Sequence, residues 1–115
     1  MNSLIEEIFK NFKVDNKAIP VAFLIYTGKD TTYVTYSETE KDNSFSGDDE
    51  LLGYIDYYDF DIYSKGNYFK VMEKVKQVLK SNGFEWLPSR DSGDMYEADT
   101  GYNHKTLCFA YYKEV

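Results

Sequence analysis

The stretch ELLGYIDYYDFDIY, residues 50–63, decides the fold because it is the longest strand candidate in the chain. Alternate side chains of a strand point to opposite faces. One face would carry Leu52, Tyr54, Asp56, Tyr58, Phe60 and Ile62. The other would carry Leu51, Gly53, Ile55, Tyr57, Asp59, Asp61 and Tyr63. Neither face is wholly polar or apolar, so we predict that part of this strand meets another chain or a covering loop, and that Gly53 marks a bulge or bend.

Upstream of this strand, two β-rich runs are separated by a turn. Residues 21–26 (VAFLIY) are continuously apolar, which is typical of a strand covered on both faces. Residues 32–36 (TYVTY) follow after the turn TGKD at 27–30. This order predicts a β-hairpin. The polar residues 37–49 are then expected to form a long surface loop.

Two helices are expected to flank these strands. The first has Ser3 as N-cap, a capping box completed by Glu6, and an end near Lys13. Its apolar face is Leu4, Ile5, Ile8, Phe9 and Phe12. The second spans residues 67–82 and ends before Gly83. Its apolar stripe is Tyr68, Val71, Met72, Val75, Val78 and Leu79.

The C-terminal third adds a short strand at 84–87 stopped by Pro88, a polar loop at 89–101 and a last strand at 106–112. The order α-β-β-β-α-β-β predicts one α+β domain over residues 1–115. Its largely antiparallel sheet of four to five strands would carry both helices on one face. The other face would be only partly covered, and such a face is a natural place for subunits to meet.

Composition narrows the possible functions. The 115 residues are 43% hydrophobic and 18% aromatic, which is enough for a packed core, and the single Cys108 cannot form an intramolecular disulfide. The net charge is −7, and residues 38–61 hold nine acids against one lysine. Binding to nucleic acid or to an anionic membrane requires cations, so we expect neither. A basic protein partner, bound cations or solubility alone remain as interpretations of the acidic segment.

The candidates for chemistry are few. Asp59 and Asp61 lie two apart on a strand, so their carboxylates share a face and resemble a Mg²⁺ pair of a nuclease with Lys65 as the lysine. The simpler interpretation, a solvated or interface charge pair, is favoured. His104 is the only histidine, and Cys108 lies four residues beyond it on a predicted strand.

A calcium loop is suggested by DNSFSGD at 42–48, but its twelfth position is Gly53 where a bidentate Glu is needed. Neither this segment nor the histidine and cysteine form a complete catalytic or metal-binding motif. We therefore predict no catalytic residue, no cofactor, no metal site and no enzymatic activity.

Several motifs resemble a group of small proteins from siphophages and prophages of Gram-positive hosts. They are YVTY at 33–36, SGDDE at 46–50, GY at 53–54, YYDFDIYSKGNY at 57–68, WLPSRDS at 86–92, DMYE at 94–97 and TGYNHKT at 100–106. The resemblance extends from the first strand to the C-terminus, and its motifs are long and ungapped. The group is that of the tail terminators, also called tail completion or tail-to-head joining proteins.

This resemblance implies a small α+β domain that assembles into a hexameric ring. Such a ring caps the tail tube, stops its polymerisation and offers a surface to the head connector. The implied partners are copies of the chain itself, the major tail tube protein and the connector or head-completion protein. The implied location is the tail of the virion, assembled in the host cytoplasm, and no catalysis is implied.

Residues that we expect at contacts between subunits or with partners lie in the acidic segment, on the long strand and in the second polar loop. They are Phe45, Asp48, Asp49, Glu50, Tyr57, Asp59, Asp61, Arg90, Asp91 and Asp94. Three alternatives stay open: a head-completion protein of the same neck, an acidic DNA mimic that inhibits a basic host protein, and a metal-dependent nuclease that uses Asp59 and Asp61.

Overall fold

A computed structural model describes the backbone of residues 2–47 and 50–114 and the side chains of residues 3–40 and 53–113. The helices are α1 (Asn2–Ile8) and α2 (Phe69–Ser81), with a 3₁₀ turn at Pro88–Arg90. The strands are β1 (Lys13–Val14), β2 (Lys17–Ala18), β3 (Val21–Phe23), β4 (Thr32–Gly47), β5 (Glu50–Ser64), β6 (Phe84–Trp86), β7 (Met95–Glu97) and β8 (Tyr102–Glu114).

The main sheet has six strands in the order β3-β4-β5-β8-β6, and β7 also pairs with β8 beside β6. Every neighbouring pair is antiparallel except β3 and β4, which are parallel. A separate hairpin joins β1 and β2. The predicted α+β class is confirmed, and the sheet has one strand more than the four to five expected because β7, which lies in a predicted loop, pairs with β8.

The core lies between one face of the sheet and the two helices, which we call the helix-covered face. Tyr58, Phe60 and Ile62 of β5 are fully buried there. The Phe60 ring lies 5.7 Å from the Tyr36 ring and 5.9 Å from the Phe9 ring, measured between centroids. The alternation predicted for the long strand is therefore confirmed on this side, and it places β5 at the centre of the domain.

Helix α2 follows its sequence pattern closely. The stripe residues Val71, Met72, Val75 and Leu79 are buried against the sheet. After the helix, Gly83 adopts φ +88°, a left-handed conformation that glycine reaches without steric cost. The predicted second helix is confirmed, and β6 follows it where the short strand was expected.

The predicted hairpin between residues 21–26 and 32–36 is wrong. β3 ends at Phe23 and pairs in parallel with β4, with Val21 opposite Val34 and Phe23 opposite Tyr36. Leu24 has φ +65°, which turns the chain out of the sheet. A parallel neighbour requires the chain to leave the sheet and return, so residues 24–31 form a connection instead of a tight turn.

The polar segment predicted as a surface loop is largely strand. Residues 37–47 belong to β4, and they pair with β5 as far as Gly47 opposite Glu50, with irregular register around Phe45 opposite Gly53. Strand formation here depends on the backbone partner that β5 offers and not on the composition of the segment. The irregularity agrees with the bulge or bend predicted at Gly53.

The N-terminal region also departs from prediction. α1 begins at Asn2 and ends at Ile8, so Ser3 lies inside the helix and the end comes before Lys13. Asn11, Asp15 and Asn16 have φ of 63°, 52° and 65°. Asp15 and Asn16 form the two-residue turn between β1 and β2, for which two consecutive left-handed residues are typical. The apolar residues predicted to face the core are nevertheless buried at Ile5, Phe9 and Phe12.

Two further elements lie where the sequence predicts loop. The 3₁₀ turn and β7 both fall within residues 89–101 or at their border, and β8 begins at Tyr102, four residues earlier than expected. Within the described ranges, no helix combines the length and the apolar character that crossing a membrane requires.

Candidate functional site

The face of the sheet opposite the helices, which we call the open face, carries a polar cluster between β5 and β8. The ladder pairs Asp61 with Thr106 and Tyr63 with His104. Asp61 Oδ1 accepts a hydrogen bond from the Thr106 hydroxyl at 2.5 Å and lies 2.9 Å from His104 Nε2. His104 Nδ1 lies 3.5 Å from a carboxylate oxygen of Glu97. The imidazole is therefore held in place between two carboxylates.

Asp59 belongs to a second cluster on the open face, with Cys108 and Arg90. Burial raises the pKa of the Asp59 carboxyl, and the charge of Asp61 adds to the rise. Burial also raises the pKa of the Cys108 thiol, followed by the charge of Asp59. A thiol that remains protonated is a weak nucleophile. In addition, Cys108 lies four residues beyond His104 along β8, a distance of about 13 Å, so the imidazole does not lie beside the sulfur.

Asp59 and Asp61 share one face, as predicted, but each carboxylate interacts with its own neighbours. Among the residues whose side chains are described, no group of three or more His, Cys, Asp or Glu side chains is placed to hold a metal ion. The ammonium of Lys65 lies 5.1 Å from the ring centre of Tyr102. This geometry gives no support to a nuclease site at the pair.

A row of aromatic rings lies across β4, β5 and β8 on the open face. Ring centroids are 4.6 Å apart between Tyr26 and Tyr33, 4.9 Å between Tyr33 and Tyr63, and 4.1 Å between Tyr63 and His104. Burial raises the pKa of Tyr63 to about 12, and the charge of Asp61 contributes to the rise. Packed tyrosine rings cover the strands with their apolar faces, and their hydroxyl groups stay close to water. These rings therefore cover part of the open face, and each of them stays partly exposed.

Arg90 and Asp91, both predicted at contacts, have different roles. Arg90 is exposed; its guanidinium lies over the Tyr57 ring at 4.3 Å and forms an ion pair with Glu40 at 2.6 Å. Asp91 accepts hydrogen bonds from the Trp86 indole N–H at 2.9 Å and from the Cys108 backbone N–H at 3.0 Å. Asp91 is half-buried and not exposed as expected, because its carboxylate holds the loop after β6 against β8; its role at a contact stays a prediction.

The other predicted contact residues are placed as follows. Asp94 is exposed, in agreement with the prediction, and its carboxylate accepts a hydrogen bond from the Tyr68 hydroxyl. Phe45 lies in β4 and Glu50 in β5 by their backbones, not in a loop, and their side chains lie outside the described residues. Asp48 and Asp49 lie wholly outside the described residues.

Sequence patterns missed an apolar segment at the β3 edge of the sheet, made of Phe23, Leu24 and Ile25. Their exposed fractions are 46%, 57% and 73%. The uninterrupted run at 21–26 predicts coverage on both faces, but the segment lies partly beyond the last paired residue of β3. Large exposed apolar groups that lie together mark interaction surfaces.

A cavity was missed at the opposite edge, which we call the β7 edge. Its volume is about 740 Å³, and it lies between the start of α2 and β7. Phe69, Met95 and Tyr96 on its wall are exposed by 58%, 40% and 67%. One signal for it exists in the sequence, because Phe69 falls outside the apolar stripe of its own helix and so has no place in the core.

No protein-family model matches this chain, and comparison with curated proteins finds no match either. The function must therefore be inferred from the geometry of the faces and edges together with the resemblance of the motifs.

Proposed function

We propose that this chain is a structural protein of a phage tail, which assembles into a ring, caps the tail tube, stops its polymerisation and joins the tail to the head connector. The observation that carries the proposal is an arm that extends beyond the helix-covered core. The arm consists of residues 37–47 of β4 and 50–57 of β5. Among the described side chains, β5 contributes Tyr58, Phe60 and Ile62 to the main core cluster, whereas Ile55 and Asp56 of the arm are buried outside that cluster.

The dimensions of the molecule reflect this arm. The principal extents are 52, 28 and 23 Å, and the radius of gyration is 15.3 Å. A compact domain of this length has a radius of gyration of about 13 Å. Beyond Tyr36, β4 continues past its pairing with β3, and a strand edge of this kind offers backbone groups that a neighbouring molecule can pair with. An assembly protein uses such an extension to reach its partners.

Charge supports contacts between unlike surfaces. The segment that contains the arm, residues 38–61, has nine acids and one lysine, whereas α2 has four lysines and one glutamate. Lys74 and Lys80 of α2 are exposed. When identical subunits close a ring, each contributes two different surfaces to one repeated contact. An acidic arm beside a basic helix of the next copy, or beside a basic patch of the tail tube or connector, satisfies this requirement.

Tube capping provides the test of this function. A major tail tube protein of a siphophage would be polymerised with and without the purified protein, and the lengths and ends of the tubes would be measured by electron microscopy. We expect shorter tubes that carry a ring at one end. Tubes of unchanged length with bare ends would contradict the proposal.

A pair of matched variants tests the part played by the arm. Asp48→Asn, Asp49→Asn and Glu50→Gln together remove three consecutive acids that follow Gly47 in the sequence. The control, Glu6→Gln, Glu7→Gln and Glu73→Gln, removes three exposed acids from the body. We expect the first variant to lose capping at least tenfold and the control to retain it. Equal capping by both variants would contradict a role of these acidic residues in capping.

The head-completion alternative gives a different outcome in the same assay. A neck protein of that kind would bind the isolated connector and leave tube length unchanged. Binding to both the tube end and the connector is the result expected for a terminator.

A further inference from the structure

We infer that Asn82, at the junction between α2 and β6, is a latent deamidation site that the last turn of α2 protects in the folded chain. Among the asparagines of the chain, only Asn82 is followed by a glycine. Glycine has no side chain, so its backbone nitrogen can approach the carboxamide of the preceding residue without steric hindrance. Asn82 and Gly83 are both exposed, which gives water access to the pair.

Deamidation at this pair needs no reactant other than water. The backbone nitrogen of Gly83 attacks Cγ of Asn82 and forms a cyclic imide, while Nδ2 leaves as ammonia together with the proton of the Gly83 N–H. Water then adds to one of the two imide carbonyls, and the bond from that carbonyl to the Gly83 nitrogen breaks. Cleavage at Cγ gives aspartate, and cleavage at the main-chain carbonyl gives isoaspartate, in which the main chain passes through the former side chain.

Three features of the last turn of α2 oppose this attack. With ψ of 24° at Asn82, the Gly83 nitrogen lies on the side of the Cα–C bond away from the Asn82 side chain, so the reacting atoms meet only after rotation about that bond. Asn82 Nδ2 donates a hydrogen bond to the Val78 carbonyl at 2.8 Å, which holds the carboxamide against the helix. The Asn82 backbone N–H donates to the Leu79 carbonyl at 3.0 Å and keeps the residue in the turn.

The chain beyond Gly83 resists the same rotation. Gly83 has φ +88°, which directs the chain from α2 into β6. The next residue, Phe84, is 4% exposed, and its ring centroid lies 4.8 Å from that of Tyr111 and 6.1 Å from that of Tyr58. Rotation at Asn82 would displace either the last turn of α2 or Phe84. The reaction therefore requires the junction to open locally.

Conversion of Asn82 would weaken the junction that protects it. A carboxylate at this position cannot donate a hydrogen bond to the Val78 carbonyl, and its negative charge lies at the C-terminal end of a helix, where positive charge is favoured. Isoaspartate in addition inserts a methylene group into the main chain directly before β6. Each converted chain is therefore expected to have a less stable connection between α2 and β6.

Peptide mass spectrometry of the full chain tests the inference. Trypsin releases residues 81–90 (SNGFEWLPSR), in which Asn82 has the only carboxamide side chain. It also releases residues 66–70 (GNYFK), an internal control in which Asn67 precedes a tyrosine. The chain would be incubated at mildly alkaline pH, folded in buffer or unfolded in guanidinium chloride, and digested at intervals.

In the unfolded chain, we expect Asn82 to convert at least tenfold faster than Asn67. In the folded chain, we expect the conversion of Asn82 to be at least tenfold slower than in the unfolded chain. Equal conversion of the two asparagines in guanidinium chloride would mean that Asn82 is not a preferred site. Equal rates for Asn82 in the folded and unfolded chain would mean that α2 does not protect it, and either result would overturn the inference.

Two matched variants separate local opening of the junction from global unfolding. Phe84→Leu replaces a buried ring at the junction with a smaller side chain, and Phe12→Leu does the same in the connection after α1. Low concentrations of guanidinium chloride would bring both variants to the same free energy of unfolding, measured by circular dichroism. Under these conditions we expect Asn82 to convert at least threefold faster in Phe84→Leu. Equal rates in the two variants would mean that only complete unfolding exposes the site, and would overturn the role assigned to the junction.

Discussion

The helix-covered face and the open face of the sheet are built from the same strands by different chemistry. On the first, Phe60 and its neighbours are fully buried among apolar side chains of α1 and α2. On the second, stacked tyrosines, His104 and paired carboxylates lie flat over the strands. The difference shows that one face supplies most of the stability of the subunit, whereas the open face and the sheet edges are available for contacts.

The largest effect that separates the faces is expected from truncating one aromatic ring on each. Phe60→Ala removes a fully buried ring and should lower the free energy of unfolding by about 3–5 kcal/mol. Tyr63→Ala removes a partly exposed ring from the tyrosine row and should cost about 1–2 kcal/mol, mainly from lost stacking. Urea denaturation of both variants measures the difference. Equal losses of unfolding free energy in the two variants would contradict the claim that the helix-covered face supplies most of the stability.

A smaller effect distinguishes two aspartates that sequence patterns place together. Asp91→Ala leaves the Trp86 indole N–H and the Cys108 backbone N–H without their acceptor, and it should cost about 1–3 kcal/mol. Asp94→Ala, at an exposed position, should change the free energy of unfolding by less than about 0.5 kcal/mol. Thermal unfolding of the two variants checks this. A larger loss for Asp94→Ala would mean that the roles of the two residues are exchanged.

The tyrosine row predicts a dependence of stability on alkaline pH. Burial raises the pKa of Tyr63 to about 12, and it also raises the pKa of Tyr33 in the same row. Because the folded state favours the protonated phenol, this contribution to stability is complete below the unfolded pKa near 10 and is lost as the pH rises from 10 toward 12. Unfolding midpoints measured at several values between pH 9 and 11.5 should fall over that interval.

The control for this dependence is Tyr63→Phe, which has no hydroxyl to titrate. The fall of its midpoint with pH should be shallower than that of the unmodified chain. Absorbance at 295 nm gives an independent measurement, in which the buried tyrosines ionise only after the others. Titration of all 12 tyrosines as one class near pH 10 would contradict the burial of the row.

Local patterns predicted β5 and α2 because the period of their side chains matches the element that forms. The stripe of α2 and the alternation at Tyr58, Phe60 and Ile62 require no knowledge of distant residues. The parallel pairing of β3 was not predictable in this way, since apolar residues at 21–26 fit a hairpin as well as a parallel edge strand. The direction in which residues 21–23 pair with β4 depends on contacts across the whole sheet.

The candidate site could likewise be predicted only where its geometry follows from local spacing. The sharing of one face by Asp59 and Asp61 follows from their spacing, but the partners of each carboxylate depend on the register of β8, which no local pattern specifies. Asp91 appeared as one more acid of a polar loop because its two donors come from β6 and β8. A turn signal was available at Asp15 and Asn16, whose side chains tolerate the left-handed conformation that the turn between β1 and β2 needs.

The most direct test of the account is the mass of the purified chain in solution across a series of ionic strengths. Each copy carries a net charge of −7, so copies repel at low salt, and screening should shift the 13.5 kDa monomer to one closed ring of constant mass. Light scattering or sedimentation from 0.02 to 0.5 M salt, roughly the range over which the screening length falls from tens of ångströms to a few, measures this shift. A single subunit at every ionic strength, with no binding to tube ends, would contradict the claim that the protein works by assembling with its own copies.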